Sequence, residues 1–188
     1  MKIYILTYKG AAKERYDNAL KNAKELNAEV FIGGTDSIKN LTDICKLALD
    51  SEQDLLLLED DVRLCSNIQA KINEYINIYK DNIINFFYNN NSNKTEKILL
   101  RNFIWTQCVY IPLKYLKIII DKESWFRELY PYYIRTKQHD IFIGYCLMNK
   151  GYFISVKPCL VQHLNFVSSI DPKRSINRQS DCVDISLQ

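Results

Sequence analysis

Glycine, proline and long hydrophobic runs are all scarce in this sequence. Five glycines and four prolines among 188 residues exclude collagen-like, linker-like and low-complexity chains. The longest apolar runs, such as residues 55–58 and 118–120, are far too short to cross a bilayer, so we expect no membrane span. The 25 basic residues exceed the 22 acidic ones by only three. That excess does not indicate nucleic-acid binding through bulk charge alone.

Several signature motifs are missing as well. No G-x-G-x-x-G or G-x-x-x-x-G-K-[ST] string occurs, which counts against a dehydrogenase or a P-loop enzyme. Without G-x-S-x-G, a serine hydrolase has no signal. None of the six cysteines forms a C-x-x-C pair, so a zinc–thiolate site has no support. The N-terminal residues do not resemble a secretory signal. We therefore expect reduced, mostly buried cysteines and a cytoplasmic protein, in the host cytoplasm if it is viral.

What the first half does contain is an alternation of apolar and amphipathic segments. Hydrophobic periodicity predicts strands at 2–7, 29–32, 54–58 and 83–88, with helices between them at 11–27, from a Ser37 cap to about residue 50, and at 66–80. The four leucines of the third strand form a continuous run typical of a strand covered on both faces. Alternation at this spacing predicts an α/β fold, with a mostly parallel sheet flanked by helices.

The second half of the chain is less regular. We predict a hairpin or two short strands at 96–111, helices at 113–121 and 139–150, and a strand at 152–156. Gly151 is suited to end the second of these helices. No internal repeat or domain boundary is visible. At about 150 residues per domain, the length fits a single compact domain.

Three acids in a row, Glu59-Asp60-Asp61, follow the strand at 54–58. Adjacent carboxylates repel one another, so grouping them gains no stability without a cation. In open α/β sheets ligands gather at the carboxyl ends of strands, and a divalent metal bridged to a diphosphate suits this position. The alternative is a solvated acidic turn in which Asp60 or Asp61 caps the next helix. The strand context favours a metal or nucleotide site.

Two later segments carry groups suited to chemistry, and each has a plain structural alternative. His163 is one of two histidines and precedes Ser168 and Ser169. A neutral imidazole can bind Mn²⁺, and the hydroxyls can donate to phosphate oxygens, whereas a single histidine is more often a structural hydrogen-bonding group. Asp140 stands at a predicted helix start, where it is either a cap or a general base for an acceptor hydroxyl.

Residues at the ends of the first two strands are further candidates. Thr7 and Tyr8 end the first strand and Asp36 follows the second, so we expect all three at the same edge as the acids. Hydroxyl, aromatic and acidic groups there could hold a base and ribose. A later aromatic group either forms a sugar-stacking wall or covers the core. Its members are Trp125, Phe126, Tyr130, Tyr132 and Tyr133.

In their order these pieces resemble the GT-A glycosyltransferases. An α/β first half is followed by a D-x-D-like motif at 59–61, then by Asp140 near a helix start, then by a histidine and a serine-containing loop at 163–169. The Leu-Glu-Asp-Asp-Val string at 58–62 resembles that of lipopolysaccharide-type galactosyltransferases. Residues 158–169 resemble the Q-H-x-x-x-x-S-S region of certain N-acetylglucosaminyltransferases. The likeness covers most of the chain in layout but only three short segments in residues, and the acidic motif begins with Glu.

The resemblance implies a GT-A-like (Rossmann-like) fold and an inverting hexosyltransferase. The donor would be a nucleotide-sugar, a UDP-sugar first of all, and the acceptor a hydroxyl on a glycan or a modified DNA base. It also implies a nucleotide-sugar-binding half at 1–95, an acceptor and catalytic half at 96–170, and a tail or lid at 171–188. The resemblance also assigns roles to single residues. Asp61 and His163 would bind Mn²⁺ or Mg²⁺, Glu59 and Asp60 the ribose or a metal-bound water, and Ser168 and Ser169 the diphosphate. Thr7, Tyr8 and Asp36 would line the base and ribose pocket, and Asp140 would be the catalytic base.

Three other functions stay open at this point. A phage or viral enzyme that glycosylates hydroxymethylated DNA bases would use basic side chains on backbone phosphates. The candidates are Arg127, Arg135, Lys137, Lys173, Arg174 and Arg178. A metal-dependent phosphoryl or nucleotidyl transferase would need a second set of carboxylates. A non-catalytic nucleotide-binding or interaction module would need none of these roles.

Overall fold

A seven-stranded sheet forms the centre of the fold. The computed structural model describes residues 1–88, 92–134, the backbone of 135, 138–164 and 166. The strands are β1 Lys2–Tyr8, β2 Glu29–Gly33, β3 Leu55–Glu59, β4 Val62–Leu64, β5 Ile84–Asn85, β6 Glu96–Leu99, β7 Cys108–Ile111, β8 Tyr152–Ser155 and β9 Val161–His163. The main sheet has the order β2-β1-β3-β7-β5-β8-β6, and β4 and β9 form a separate two-stranded ribbon.

The main sheet is mostly parallel, which confirms the predicted fold class. Strands β1, β2, β3, β5 and β8 run in one direction, whereas β7 and β6 run against their neighbours. The predicted hairpin at 96–111 is wrong and the two-strand alternative is correct. β6 pairs with β8, while β7 enters the sheet between β3 and β5. A 3-10 turn at Leu100–Asn102 separates β6 and β7.

Helices cover both faces of the sheet. They are α1 Lys13–Leu26, α2 Ser37–Asp50, α3 Ile68–Tyr79, α4 Leu113–Asp121, α5 Glu123–Leu129, α6 Pro131–Arg135 and α7 His139–Leu147. Because side chains alternate along a strand, Ile5 and Leu56 pack with α1 and α3 on one face. Leu6 and Leu57 pack with α2, α4 and α7 on the other. Each face therefore has its own hydrophobic core.

Local details differ from the sequence-based expectations at three points. The side chain of Asp36 caps α2 by accepting from the backbone N–H of Lys39 at 2.9 Å, so the cap assigned to Ser37 is wrong. The fourth predicted strand shrinks to Ile84–Asn85. The helix predicted at 139–150 ends at Leu147, and Gly151, with a φ of +104°, makes the turn into β8 instead.

Two expectations about the chain's environment can be compared with the described residues. Five cysteines, at 45, 65, 108, 146 and 159, are buried and form no disulfide within that part of the chain. The burial agrees with the expectation of mostly buried cysteines, and Cys182 lies outside the described residues. Among the same residues, none of the helices has the length and apolar character needed to cross a membrane.

Candidate functional site

The connections from the central strands diverge at the carboxyl edge of the sheet, where the parallel strands end. α1 follows β1 and packs on the face that carries Ile5, whereas α2 packs on the face that carries Leu6. Open α/β sheets bind ligands where successive connections leave to opposite faces in this way. β1 ends at Tyr8 and β3 at Glu59. The acid motif, Glu59-Asp60-Asp61, therefore begins at the position where this topology favours a ligand.

A buried arginine contacts two of the three acids. Arg15, only 4% exposed, lies on α1; its Nη2 binds Asp60 Oδ1 and lies 3.0 Å from Asp61 Oδ2. Thr7 Oγ1 donates to the other oxygen of Asp60 at 2.7 Å. Burial raises the pKa of Asp60, although the hydrogen bonds from Arg15 and Thr7 act against it. Part of the positive charge that the adjacent acids require thus comes from the chain itself.

Two asparagines of α1 hold the backbone of the same turn. Asn18 Nδ2 donates to the carbonyl oxygens of Asp60 at 2.7 Å and Val62 at 2.9 Å, and Asn22 Nδ2 donates to that of Val62 at 2.8 Å. Arg15, Asn18 and Asn22 share one side of the helix because residues three or four apart lie together. Sequence reasoning missed all three. Their signal was a row of polar residues at helical spacing on the side of α1 that faces the protein.

Asp61 and His163 are brought together by the β4–β9 ribbon. Val62 pairs with His163 across the ribbon, and the Leu164 N–H donates to the Asp61 carbonyl at 2.6 Å. His163 Nε2 lies 3.3 Å from Asp61 Oδ2. Within the described residues, Asp61 Oδ1 and His163 Nδ1 are buried and have no hydrogen-bond partner. Other buried side-chain atoms share this state, among them Ser37 Oγ and Ser155 Oγ. The Asp61 and His163 atoms are candidates for contact with a ligand because they also lie at the acid motif.

The second histidine of the chain contacts the first acid. Thr106 Oγ1 donates to Glu59 Oε1 at 2.5 Å, and His139 Nε2 lies 2.7 Å from Thr106 Oγ1 and 3.3 Å from Glu59 Oε1. Burial opposes ionisation of Glu59, but the hydrogen bonds and charge of His139, with the Thr106 hydrogen bond, lower its pKa to about 2. Sequence reasoning missed Thr106 and His139. The rarity of histidine was the available signal, since both histidines lie against the acid motif.

Asp140 is not the N-cap residue of α7, which is Gln138, but it lies in the first turn, where a carboxylate complements the helix dipole and accepts a backbone N–H of that turn. Its Oδ2 accepts the backbone N–H of Trp105 at 3.2 Å, and its Oδ1 accepts that of Ile141 at 2.9 Å. The loop of residues 104–107, called the Trp105 loop below, connects Asp140 to the acid motif, since the Gln107 carbonyl accepts the Glu59 N–H at 3.1 Å. Asp140 and the acid motif thus contact the same loop.

Tyr8 also belongs to the surroundings of the acid motif. Burial, followed by the negative charges of Glu59, Asp60 and Asp61, raises the pKa of the Tyr8 phenol. The phenol therefore remains protonated and able to donate a hydrogen bond near the acids. The two candidate diphosphate ligands, Ser168 and Ser169, lie outside the described residues.

The Asp36 carboxylate already has partners within the chain. Besides capping α2, its Oδ2 lies 2.9 Å from Arg127 Nη2, and the same guanidinium binds Glu123 at 2.8 Å. Arg127 therefore has two carboxylate partners and is not a free phosphate ligand. For the other cations considered for DNA contact, the side chains lie outside the described residues; these are Arg135, Lys137, Lys173, Arg174 and Arg178.

The aromatic segment at 125–133 mainly covers the core. Phe126 is fully buried and packs on Phe142 of α7, with ring centroids 4.9 Å apart, while Tyr130 lies 4.5 Å from Tyr145. Tyr132, by contrast, is 59% exposed. The core-covering alternative thus accounts for the buried members of the group, and Tyr132 lies at its outer rim.

The residues at the acid motif fit a divalent cation. Three ionised carboxylates and one guanidinium leave a net negative charge, which is −1 when His139 is protonated beside Glu59 and −2 when both imidazoles are neutral. Asp61 and His163 offer oxygen and nitrogen donors of the type that Mn²⁺ accepts. No group of three or more His, Cys, Asp or Glu side chains among the described residues is arranged to hold a metal alone. The remaining ligands would be water and substrate phosphate, as is usual for Mg²⁺.

Comparison with known proteins supports the fold and leaves the activity open. No family model matches the sequence, and no curated protein matches it significantly. The crystal structure of A197 from STIV is similar over 100% of this chain and 97% of its own, with a TM-score of 0.55 at 11% identity. A glycosyltransferase involved in the glycosylation of the major capsid of PBCV-1 aligns over 70% of each chain, with a TM-score of 0.37 at 12% identity. That second score is too low to bear on function.

Proposed function

We propose that this chain is a metal-dependent glycosyltransferase that moves a sugar from a nucleotide-sugar to an acceptor hydroxyl. The observation that carries the proposal is the acid motif with its contacts. It lies at the strand ends, retains a net negative charge beside Arg15, and includes a buried oxygen of Asp61 and a buried nitrogen of His163 without partners among the described residues. A divalent cation suits that negative charge and those donor atoms, and it can bridge to the phosphates of a nucleoside diphosphate. A UDP-sugar is the first donor to test.

The donor-side roles follow from burial and existing contacts. Asp61 and His163 would hold Mn²⁺ or Mg²⁺, which supplies neutralisation of the charge that develops on the leaving diphosphate. Asp60 is fully buried between Arg15 and Thr7, so its role is to fix the turn. The Glu59 side chain keeps 17% exposure and remains ionised, so it can accept hydrogen bonds from ribose hydroxyls. Ser168 and Ser169 remain proposed contacts of the diphosphate.

The chemical step needs a base beside the acceptor. We assign this role to Asp140, whose carboxylate is held by the Trp105 N–H at 3.2 Å. The acceptor oxygen attacks the anomeric carbon as the bond from that carbon to the diphosphate oxygen breaks, and the acceptor proton passes to Asp140. One displacement of this kind inverts the anomeric configuration and forms no covalent enzyme intermediate.

Ligand-induced thermal stabilisation tests the donor site directly. The protein is heated with UDP, UDP-sugars, GDP, GDP-sugars and other nucleotides, each with Mn²⁺ and with EDTA. A ligand that binds only the folded state raises the melting temperature, by an amount equivalent to about 2.7 kcal/mol at a hundredfold excess over Kd. We expect a Mn²⁺-dependent shift with one nucleotide family and its loss in Asp61→Asn.

Asp43→Asn is the matched control, because Asp43 is an acid of the outer surface whose partners are Lys39 and Lys46. It should keep the full ligand-induced shift. If no nucleotide stabilises the protein, the transferase assignment falls and a non-catalytic interaction module becomes the better account. If the shift occurs but Asp61→Asn keeps it, the metal assignment is wrong while the nucleotide site stands.

A further inference from the structure

The backbone of Trp105 is strained at the carboxyl edge of the sheet. Its φ is +72°, in the left-handed region, which a bulky L-residue rarely adopts and which costs free energy. The other non-glycine residues with positive φ in the described chain are Asn27, Glu52 and Asn67. Each of these stands at a helix end or in the turn that follows one. Trp105 is the one aromatic residue among them, so its conformation needs a separate explanation.

Polar side chains of the site hold the Trp105 loop in place. Asn85, which is fully buried, donates its Nδ2 to the carbonyl oxygens of Ile104 at 3.0 Å and Trp105 at 2.8 Å. The Trp105 N–H donates to Asp140, and the Thr106 hydroxyl donates to the acid motif. Three different parts of the fold therefore fix three consecutive residues. Strain that is maintained by such surroundings is typical of functional sites.

Contacts of Trp105 lead toward both the proposed metal ligands and the proposed base. Its ring packs edge-on against Phe87, with centroids 6.2 Å apart, and Phe87 in turn lies 6.5 Å from the His163 ring. Asp140 is contacted by the backbone N–H of Trp105. The side chain is half-buried and contacts both hydrophobic cores. In a single displacement, the transferred sugar must lie between the diphosphate and the base, and the Trp105 loop contacts both the acid motif and Asp140.

We propose that the Trp105 indole is the platform against which the transferred sugar ring stacks. This inference rests on the proposed glycosyltransferase function and names a residue for sugar recognition within it. An indole offers a large, rigid apolar face, and the C–H groups of a sugar ring are weak donors toward such a face. An indole that is already held in place before the donor arrives reduces the conformational entropy that is lost when the donor binds. The strained, hydrogen-bonded Trp105 loop then serves to preorganise the sugar-binding surface.

Tryptophan fluorescence tests the platform without altering it. The chain has two tryptophans, so Trp125→Phe leaves Trp105 as the single emitter in an intact loop. We titrate this variant, with Mn²⁺ present, with UDP, UDP-glucose, UDP-galactose, UDP-N-acetylglucosamine and the corresponding GDP compounds. We expect at least one nucleotide-sugar to change the Trp105 emission beyond the change that its bare nucleotide causes.

A second variant separates sugar binding from nucleotide binding. Trp105→Phe keeps an aromatic ring in the core but has a smaller face. We expect its affinity for the bare nucleotide to stay unchanged and its affinity for the nucleotide-sugar to fall about threefold to tenfold. Trp125→Phe, the matched control, should keep both affinities.

The outcomes distinguish the platform from the proposed function. If a bare nucleotide binds but no sugar changes the Trp105 emission further, the platform is refuted and the donor site stands. The same conclusion follows if Trp105→Phe binds every nucleotide-sugar as tightly as the parent protein does. If no nucleotide of the panel binds, the proposed function fails and the platform fails with it.

Discussion

Replacing Arg15 with methionine should be the most destabilising single change near the acid motif. One nitrogen of this guanidinium contacts both Asp60 and Asp61, and the two carboxylates are 0% and 5% exposed. Methionine keeps most of the side-chain volume and removes only the charge and its hydrogen bonds. Water cannot replace those contacts because the acids are buried. The variant therefore leaves two adjacent carboxylates without their cation.

The expected magnitude follows from the burial of the pair. Removing one partner of a buried ion pair costs about 3–5 kcal/mol, since the remaining charge stays uncompensated. Burial of Arg15 and Asp60 is nearly complete, so no discount for solvent screening applies. Each kcal/mol shifts the melting temperature by about 2–4 °C in a chain of this size. The melting temperature should fall by roughly 10 °C, and Asp60→Asn in the Arg15→Met background should restore part of the loss.

Urea unfolding monitored by circular dichroism, without metal, gives the free energy of unfolding for each variant. Arg127→Met is the matched control, because Arg127 also contacts two carboxylates but is 30% exposed. Pairs at that exposure contribute about 0–1 kcal/mol. If Arg15→Met costs no more than Arg127→Met, or if Asp60→Asn restores nothing, the acid motif does not depend on this arginine.

Three smaller predictions concern the scaffold. Asp54→Ala should lower the free energy of unfolding by about 1–3 kcal/mol, because the carboxylate accepts from the Tyr110 hydroxyl at 2.8 Å; urea unfolding that shows less than a tenth of this would contradict the contact. Gly33→Ala should cost a similar amount by the same assay, since a Cβ there would overlap the Asn40 side chain; an unchanged midpoint would mean that Asn40 moves freely. Burial raises the pKa of Cys146 to about 12, so at pH 8 iodoacetamide should label that thiol only in unfolding urea, as located by peptide mass spectrometry, and rapid labelling of the native protein would refute its burial.

Local patterns predicted the elements whose partners are near in sequence. The leucine run at 55–58 identified a strand covered on both faces, and all four residues are at most 1% exposed. The alternation of strands and helices up to that point predicted that the first three strands run parallel, as they do. Each of these inferences needs only the 2- or 3.6-residue period of its own segment.

Pairings between distant segments could not be read in the same way. The ribbon that joins Asp61 to His163 consists of two three-residue strands about a hundred residues apart, too short to show any period. The insertion of β7 between β3 and β5 is likewise a long-range pairing. For the same reason, Thr106 and His139 were not recognised as neighbours of Glu59. Sequence indicated which residue types gather at the strand ends, and tertiary pairing decides which of them touch.

The contacts of the acid motif also explain why the sequence argument about charge was incomplete. It held that three adjacent acids require a cation, and it considered only a metal. Arg15 compensates Asp60 and reaches one oxygen of Asp61, so the fold supplies one positive charge without any ligand. The other Asp61 oxygen has no partner among the described residues, and Glu59 is held by neutral or protonated groups. The three acids therefore differ in their surroundings: Asp60 anchors the turn, Asp61 keeps the oxygen that we propose as a cation ligand, and Glu59 presents an ionised, partly exposed oxygen at the edge of the sheet. Arg15→Met should thus be costly even without metal. Asp61→Asn also weakens the Arg15 contact, so its effect on the proposed cation site is measured as the loss of the Mn²⁺-dependent shift relative to its own melting temperature without ligand.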